Sequence, residues 1–266
     1  MRFRAHGIVW LGLLAFVVAC SSSSGSFKKT GKSTLDPNDD ARTGYEKALL
    51  QFRRGDCLSA EPTFREIRRE FPYSRFAALA ELRIGDCQFN NEAYPEAIQT
   101  YRQFVRIRPS HKEMPYARFR IAEAYYNQIP GGWFMTPPAS ERDQSAARDA
   151  LIQLRRFVVD YPEDQRVPDA NKLMEKCMSL LASHEFYVAR FYLKREAYRG
   201  VISRLKGLLT SYPGSGVEPK ALLLLGQVYL RTKEVEAARE TFTEIVQRFP
   251  GSDEAKRAEN LLGKIG

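Results

Sequence analysis

From residue 41 onward, apolar side chains recur every three or four positions between short polar breaks, the rhythm of helices with one buried face. The run nearest the C-terminus is the clearest. Val235, Ala238, Phe242, Ile245, Val246 and Phe249 share one side of a predicted helix that ends at Pro250. Leu222, Leu225, Gly226 and Tyr229 keep the same rhythm just before it. Two such helices joined by a short turn predict an antiparallel hairpin. Gly226 and Ala238 are small where the helices cross closely, while Leu225, Tyr229, Phe242 and Ile245 fill the seam. Pro250 cannot continue the second helix, because it lacks an N–H and clashes with the preceding turn.

The same unit recurs. Phe71-Pro72, Arg108-Pro109, Tyr161-Pro162, Tyr212-Pro213 and Phe249-Pro250 punctuate the chain at intervals of 37, 53, 51 and 37 residues. Ile84-Gly85, Ala97, Tyr101 and Phe104 stand at matching offsets in the second unit, and Ala60, Phe64 and Ile67 in the first, after a helix bearing Tyr45, Ala48, Leu49 and Phe52. Ile121-Ala122, Tyr125, Ala150, Leu154 and Phe157 mark the third. Its 16 extra residues fall between Tyr125 and Ala150, around GGWFMTPPASERD. The 14 extra residues of the fourth unit precede Val188-Ala189 and are themselves helical in pattern, within Val167–Ser183. This resembles the tetratricopeptide repeat. The expected fold is all-α: a solenoid of five helix pairs, with an insertion in repeat 3 and a long helix before repeat 4. Each pair buries its seam against its neighbours and the ends need caps. Ser252 followed by Asp253 and Glu254 predicts a short capping helix, with Leu261 and Leu262 folding back onto the stack.

The first 19 residues differ in kind. Arg2 and Arg4 precede an apolar run from Ile8 to Val18 that is too short for a permanent membrane span, so it reads as an export signal. Cys20 follows at once and fits a bacterial lipobox, in which the cysteine is acylated and becomes the first residue. Ser21 is not the Asp that commonly retains such lipoproteins in the inner membrane, so the outer membrane, periplasmic face, is expected. Residues 20–40 then form a lipidated tether rich in Ser, Gly, Lys and Asp, with a mean reach of roughly 25 Å. No later apolar run is long enough to cross a bilayer, which leaves the lipid as the anchor. The formal charge of +9 becomes +7 without Arg2 and Arg4, with 39 basic residues against 32 acidic. In a cytoplasmic chain that balance would suggest nucleic acid; export removes that partner. Arg outnumbers Lys 28 to 13, and Arg is the better residue for fixed carboxylate pairing.

Catalytic patterns are absent: the sequence holds no nucleophile–base pair, phosphate loop or paired acids, so no enzyme and no cofactor are expected. His6, His111 and His184 have no ligand spacing with the cysteines, and no metal site is expected. Cys57 and Cys87 each follow Gly-Asp, at the start of one predicted helix and the end of the next, so they should lie close. A disulfide and a pair of buried thiols are both open readings. Cys177 has no obvious mate. Trp133-Phe134-Met135 is an apolar knot in the repeat-3 insertion that either packs on the solenoid or meets a partner. From Arg190 to Lys206 six bases (Arg190, Lys194, Arg195, Arg199, Arg204 and Lys206) face one acid, Glu196, which favours an acidic protein partner.

That same segment, Tyr187-Val188-Ala189-x-Phe191-Tyr192-x-x-Arg195-x-Ala197-Tyr198 through Arg204, Gly207, Leu209 and Tyr212-Pro213, resembles the BamD family, the lipoprotein subunit of the outer-membrane β-barrel assembly machine. The likeness covers nearly the whole mature chain. It implies a non-enzymatic scaffold that assists folding and insertion of β-barrel proteins. Residues 41–165 (repeats 1–3) would receive unfolded outer-membrane protein precursors, with Tyr94, Tyr116, Tyr125 and Tyr126 as groove candidates. Residues 166–266 (repeats 4–5 and cap) would dock the POTRA domains of BamA through Arg195, Tyr198 and Arg204, with other Bam lipoproteins as further partners. Another periplasmic repeat lipoprotein, such as a secretin pilotin or an envelope-division coordinator, is the alternative.

Overall fold

Proline ends every second helix of this chain, and the residue before it sets the turn. The computed structural model describes residues 37–130 and 138–265, and among these eleven α-helices follow in order. They are α1 Pro37–Arg53, α2 Cys57–Glu70, α3 Arg75–Asn90, α4 Tyr94–Ile107, α5 Met114–Asn127, α6 Ser145–Asp160, α7 Val167–Lys194, α8 Tyr198–Ser211, α9 Glu218–Arg231, α10 Val235–Arg248 and α11 Asp253–Ile265, with a 3-10 turn at Ala139–Glu141. The signal and tether through residue 36, including Cys20, lie outside the described residues, as does Trp133-Phe134-Met135.

Phe71, Arg108, Tyr161, Tyr212 and Phe249 cap α2, α4, α6, α8 and α10 with nearly one geometry, φ between −126° and −137° and ψ between 51° and 63°. A following proline clashes with an α-helical residue before it, so each position leaves the helix while its N–H still reaches the carbonyl four residues back. The turns inside pairs one, two, four and five use a left-handed residue instead, at Gly55, Glu92, Glu196 and Lys233. In the third pair the connection 128–144 replaces that turn. Its last part is pinned to the fold: Gln144, buried, donates to the Ala139 and Arg142 carbonyls, and His184 Nδ1 lies 2.7 Å from the Ser140 carbonyl.

The helices pair as expected, and successive pairs pack to give a continuous run of apolar clusters. The first helix begins at Pro37, inside the stretch read as tether. Proline is well suited to a first turn, and Asp39 and Asp40 there favour the positive end of the helix dipole. The long helix also differs in detail. It is not an extra element ahead of repeat four but that repeat's own first helix, extended backward: α7 is 28 residues, roughly 42 Å, without a break. Its N-terminal half packs Ala170, Cys177 and Leu181 with α5 and α6, and its C-terminal half packs Ala182 and Ala189 with α8 and α9. α11 closes the stack. Ser252 Oγ accepts from the Ala255 N–H at 3.1 Å, and Leu261, Leu262 and Ile265 cover the last cluster.

Close crossing demands the small residues. A β-carbon on Gly85 would stand 2.6 Å from Tyr101 Cε1, and one on Gly226 would overlap the Phe242 ring. Both rings are fully buried. Gly226→Ala should therefore lower unfolding stability by about 1–3 kcal/mol, as overpacked cores do. A fall in the urea midpoint followed by circular dichroism reports this, and Phe242→Leu in the same chain should recover part of the loss. Equal midpoints for wild type and Gly226→Ala would refute so tight a crossing.

Candidate protein-interaction site

Two regions gather polar and aromatic side chains. The first lies where α3 meets α4 and α5. Asp86, 2% exposed, accepts from Tyr101 Oη at 2.6 Å, Tyr116 Oη at 2.5 Å and Arg83 Nη1 at 2.5 Å, with Arg120 Nε 3.5 Å away. Arg120 also binds Glu123 at 2.7 Å and lies 3.7 Å above the Phe89 ring, while Arg83 and Arg166 both approach the Tyr116 ring. Burial, with the Asp86 charge, pushes both phenols up, so they stay protonated donors. Burial opposes the charge of Arg83, but Asp86 and Tyr116 outweigh it and raise its pKa. One buried carboxylate thus fixes two tyrosines and an arginine drawn from three helices, and its charge faces a second arginine.

The four candidate tyrosines do not form one face. Tyr116 and Tyr125 are nine residues apart, about half a helical revolution round α5. Tyr116 turns to Asp86 on α3; Tyr125 accepts from Arg102 Nη2 on α4 at 2.7 Å. Tyr126 lies against α7, with Lys176 Nζ 5.9 Å from its ring, and Tyr94 packs edge-on against Phe89. The arrangement brings Tyr116 together with Arg83, Arg120 and Arg166. Sequence reading missed this cluster, because the Gly-Asp-Cys motif drew attention to the cysteine and not to the aspartate beside it.

The second surface is the α7–α8 hairpin. Arg204 Nη1 pairs with Glu185 Oε2 at 3.1 Å, and the Glu185 carboxylate, helped by the Tyr192 hydroxyl, raises the guanidinium's pKa. Both line an open cleft of about 440 Å³ whose α8 wall includes Gly200 and Gly207. A β-carbon on Gly207 would meet nothing within 4 Å, so the glycine leaves its part of the α8 wall open. Arg195 stacks 3.6 Å over Phe191, which is 45% exposed, and Tyr198 starts α8, half-buried against the core. Tyr187, Arg190, Phe191 and Lys194 line a separate cleft with Glu141, on another face of α7. Among the described residues no carboxylate forms an ion pair with Arg190, Lys194, Arg195 or Arg199.

Cys57 and Cys87 are buried free thiols in one apolar cluster and close enough to hydrogen-bond; Cys177 is buried in another. No helix among the described residues is long and apolar enough to cross a membrane.

Stacked helix hairpins that present aromatic and cationic side chains define a helical-repeat protein of the adaptor class. Residues 37–241 match the family described as YfiO, outer membrane lipoprotein, and the chain belongs to this family, which is also that of BamD. The protein named outer membrane protein assembly factor BamD from Caulobacter vibrioides is 28% identical over 254 residues, 95% of this chain and 81% of that protein. The one from Neisseria gonorrhoeae is 24% identical over 243 residues, 90% of each. Among solved structures, MamA residues 41 to the end from Desulfovibrio magneticus RS-1 is similar over 83% of this chain and 99% of that one, at 17% identity and a TM-score of 0.37.

Replacing Asp86 tests the first surface. Asp86→Asn removes the buried charge facing Arg83 and Arg120 and should cost about 3 kcal/mol, in the range for breaking a buried ion pair. Chemical denaturation measures it; a change below about 0.5 kcal/mol, typical of an inconsequential surface site, would show that the cluster is not held by this anion.

Proposed function

We propose that the chain assists assembly of outer membrane β-barrel proteins as a scaffold anchored by a lipid on Cys20 at the periplasmic face of the outer membrane. Its α7–α8 surface docks the POTRA domains of BamA. Its α3–α5 surface, around Tyr116, Arg83 and Arg120, receives unfolded precursors, and other Bam lipoproteins complete the assembly. Family membership and relatives named as assembly factors support the general role.

The observation that carries the docking assignment is the Arg204 cleft. A partner carboxylate entering there would meet a guanidinium already oriented by Glu185, beside a helix face left bare at Gly207. Pre-orientation reduces the side-chain entropy lost on binding. Arg190, Lys194 and Arg195, on the same hairpin, add positive charge that forms no ion pair among the described residues, which suits an acidic partner and speeds encounter. For the precursor surface, support comes from the partly exposed Arg83 and Arg120 guanidinium groups held by Asp86 beside Tyr116, oriented donors that a peptide carboxylate would meet.

Arg204→Glu should reduce BamA co-purification while leaving helicity intact, but it also places two acids together at Glu185. Adding Glu185→Arg restores the internal ion pair with its sign reversed. If Arg204 itself meets the partner, the double variant stays defective; recovery of co-purification would reduce Arg204 to an internal strut. Gly207→Gln offers a variant with no cost to folding. It fills the cleft without an internal clash and replaces a helical glycine, which should stabilise α8 by roughly 0.5–1 kcal/mol. BamA capture should nevertheless fall at least tenfold, and normal capture would remove the cleft from the interface. Separately, Cys20→Ala should move the chain from the membrane pellet to the soluble fraction.

A further inference from the structure

Cys57 is the first residue of α2 and Cys87 stands in the last turn of α3, so the antiparallel packing of these helices brings them to the same level. Both are nearly inaccessible, at 4% and 0% exposure, and share one cluster with Ala60, Phe64 and Ile84. The two thiols lie in one buried cluster at the α2–α3 seam, while Cys177 belongs to a separate cluster with no cysteine neighbour. We infer that Cys57 and Cys87 form a disulfide that staples the second helix of repeat one to the first helix of repeat two. The bridge needs an oxidising compartment, and that condition rests on the periplasmic reading above.

Forming it removes two protons and two electrons, which an external disulfide accepts. One thiolate attacks that disulfide and expels a thiol; the second thiolate attacks the mixed disulfide, expels the other thiol and leaves the internal S–S bond. Timing follows from burial. In the folded chain burial, with the Cys57 thiol and the Glu61 and Asp86 charges beside it, pushes the Cys87 thiol well up, so the reactive thiolate is scarce and shielded. Oxidation must therefore precede closure of the α2–α3 seam. Once made, the bond closes a loop of about thirty residues in the unfolded chain and keeps the first two repeats joined where the stack would otherwise fray.

The test uses the full-length chain purified in detergent, reduced and unfolded in guanidinium, then diluted into a mixture of oxidised and reduced glutathione. Quenching with iodoacetamide, without further reductant, precedes digestion and mass spectrometry. A peptide linking Cys57 to Cys87 is expected, with Cys177 alkylated. Reductant should lower the wild-type Tm by roughly 10 °C and leave the Cys57→Ala, Cys87→Ala double variant unmoved. Alkylation of both Cys57 and Cys87 after refolding, or linkage to Cys177 instead, overturns the inference. Protein taken from membranes and alkylated in guanidinium before any reduction gives the same readout without a refolding step. Because the glutathione arm is performed on purified protein, its failure is distinct from failure of the docking or anchoring assignments.

Discussion

A residue that precedes proline cannot remain α-helical without a clash, and this steric rule sets the register of the whole stack. It stops α2, α4, α6, α8 and α10 at equivalent points and sends the chain into the next pair at one recurring angle. Helices of this length cannot stand alone, so each hairpin must cover its apolar stripe with the next. The first helix of a pair is then covered from both sides. On α3, Ala80 and Ile84 belong to the cluster behind it, and Ala78 and Leu82 to the cluster ahead. A helix so enclosed has nowhere to leave a polar group wet. That is why Glu81 pairs with Arg108, why Asp86 collects its tyrosines and arginines, and why Glu218 accepts from Ser215 and the Gly214 N–H.

The arginine excess divides along the same lines. In repeats two and three the guanidinium groups are largely committed: Arg83 and Arg120 to Asp86, Arg108 to Glu81, Arg166 to Asp164. Their geometry is fixed, which suits recognition of a planar group but offers little free charge. In repeat four the reverse holds. Among the described residues Arg190, Lys194, Arg195 and Arg199 form no ion pair, while Arg204 pairs with Glu185. One half of the chain presents positioned donors and the other presents net positive field. These are different binding physics on one scaffold.

Much of this architecture is legible in the sequence. The proline marks predict the hairpin ends, and small Gly226 and Ala238 predict a close crossing, where the structure sets Gly226 against the Phe242 ring. The neighbouring positions of Cys57 and Cys87 follow from antiparallel pairing alone. What was not legible depends on partners far along the chain. Asp86 meets Tyr101 fifteen residues on and Tyr116 thirty residues on, and Glu185 meets Arg204 nineteen residues on. Local periodicity assigns each of these to a face but cannot match one face to another. The same limit split α7 into an extra helix plus a repeat helix, since the apolar pattern shifts phase where its contacts change from α6 to α8. The groove tyrosines failed to unite for a simpler reason: Tyr125 and Tyr126 are adjacent, so they diverge by about 100° round the helix.

α7 decides how the two surfaces relate. After Pro168 it contains neither proline nor glycine up to Lys194, the residues that most often kink or loosen a helix. In its first half Lys176 lies against Tyr126 of α5; near its end Phe191 carries Arg195. An extra hairpin inserted there would have spanned the gap with a turn, and turns yield more readily than helices. Extending one helix by about four turns spans it with a single hydrogen-bonded rod instead. On the proposed function, a precursor held at α3–α5 is thereby kept at a set distance from whatever engages Arg204. On that proposal the 14 surplus residues would serve as a spacer between two binding events.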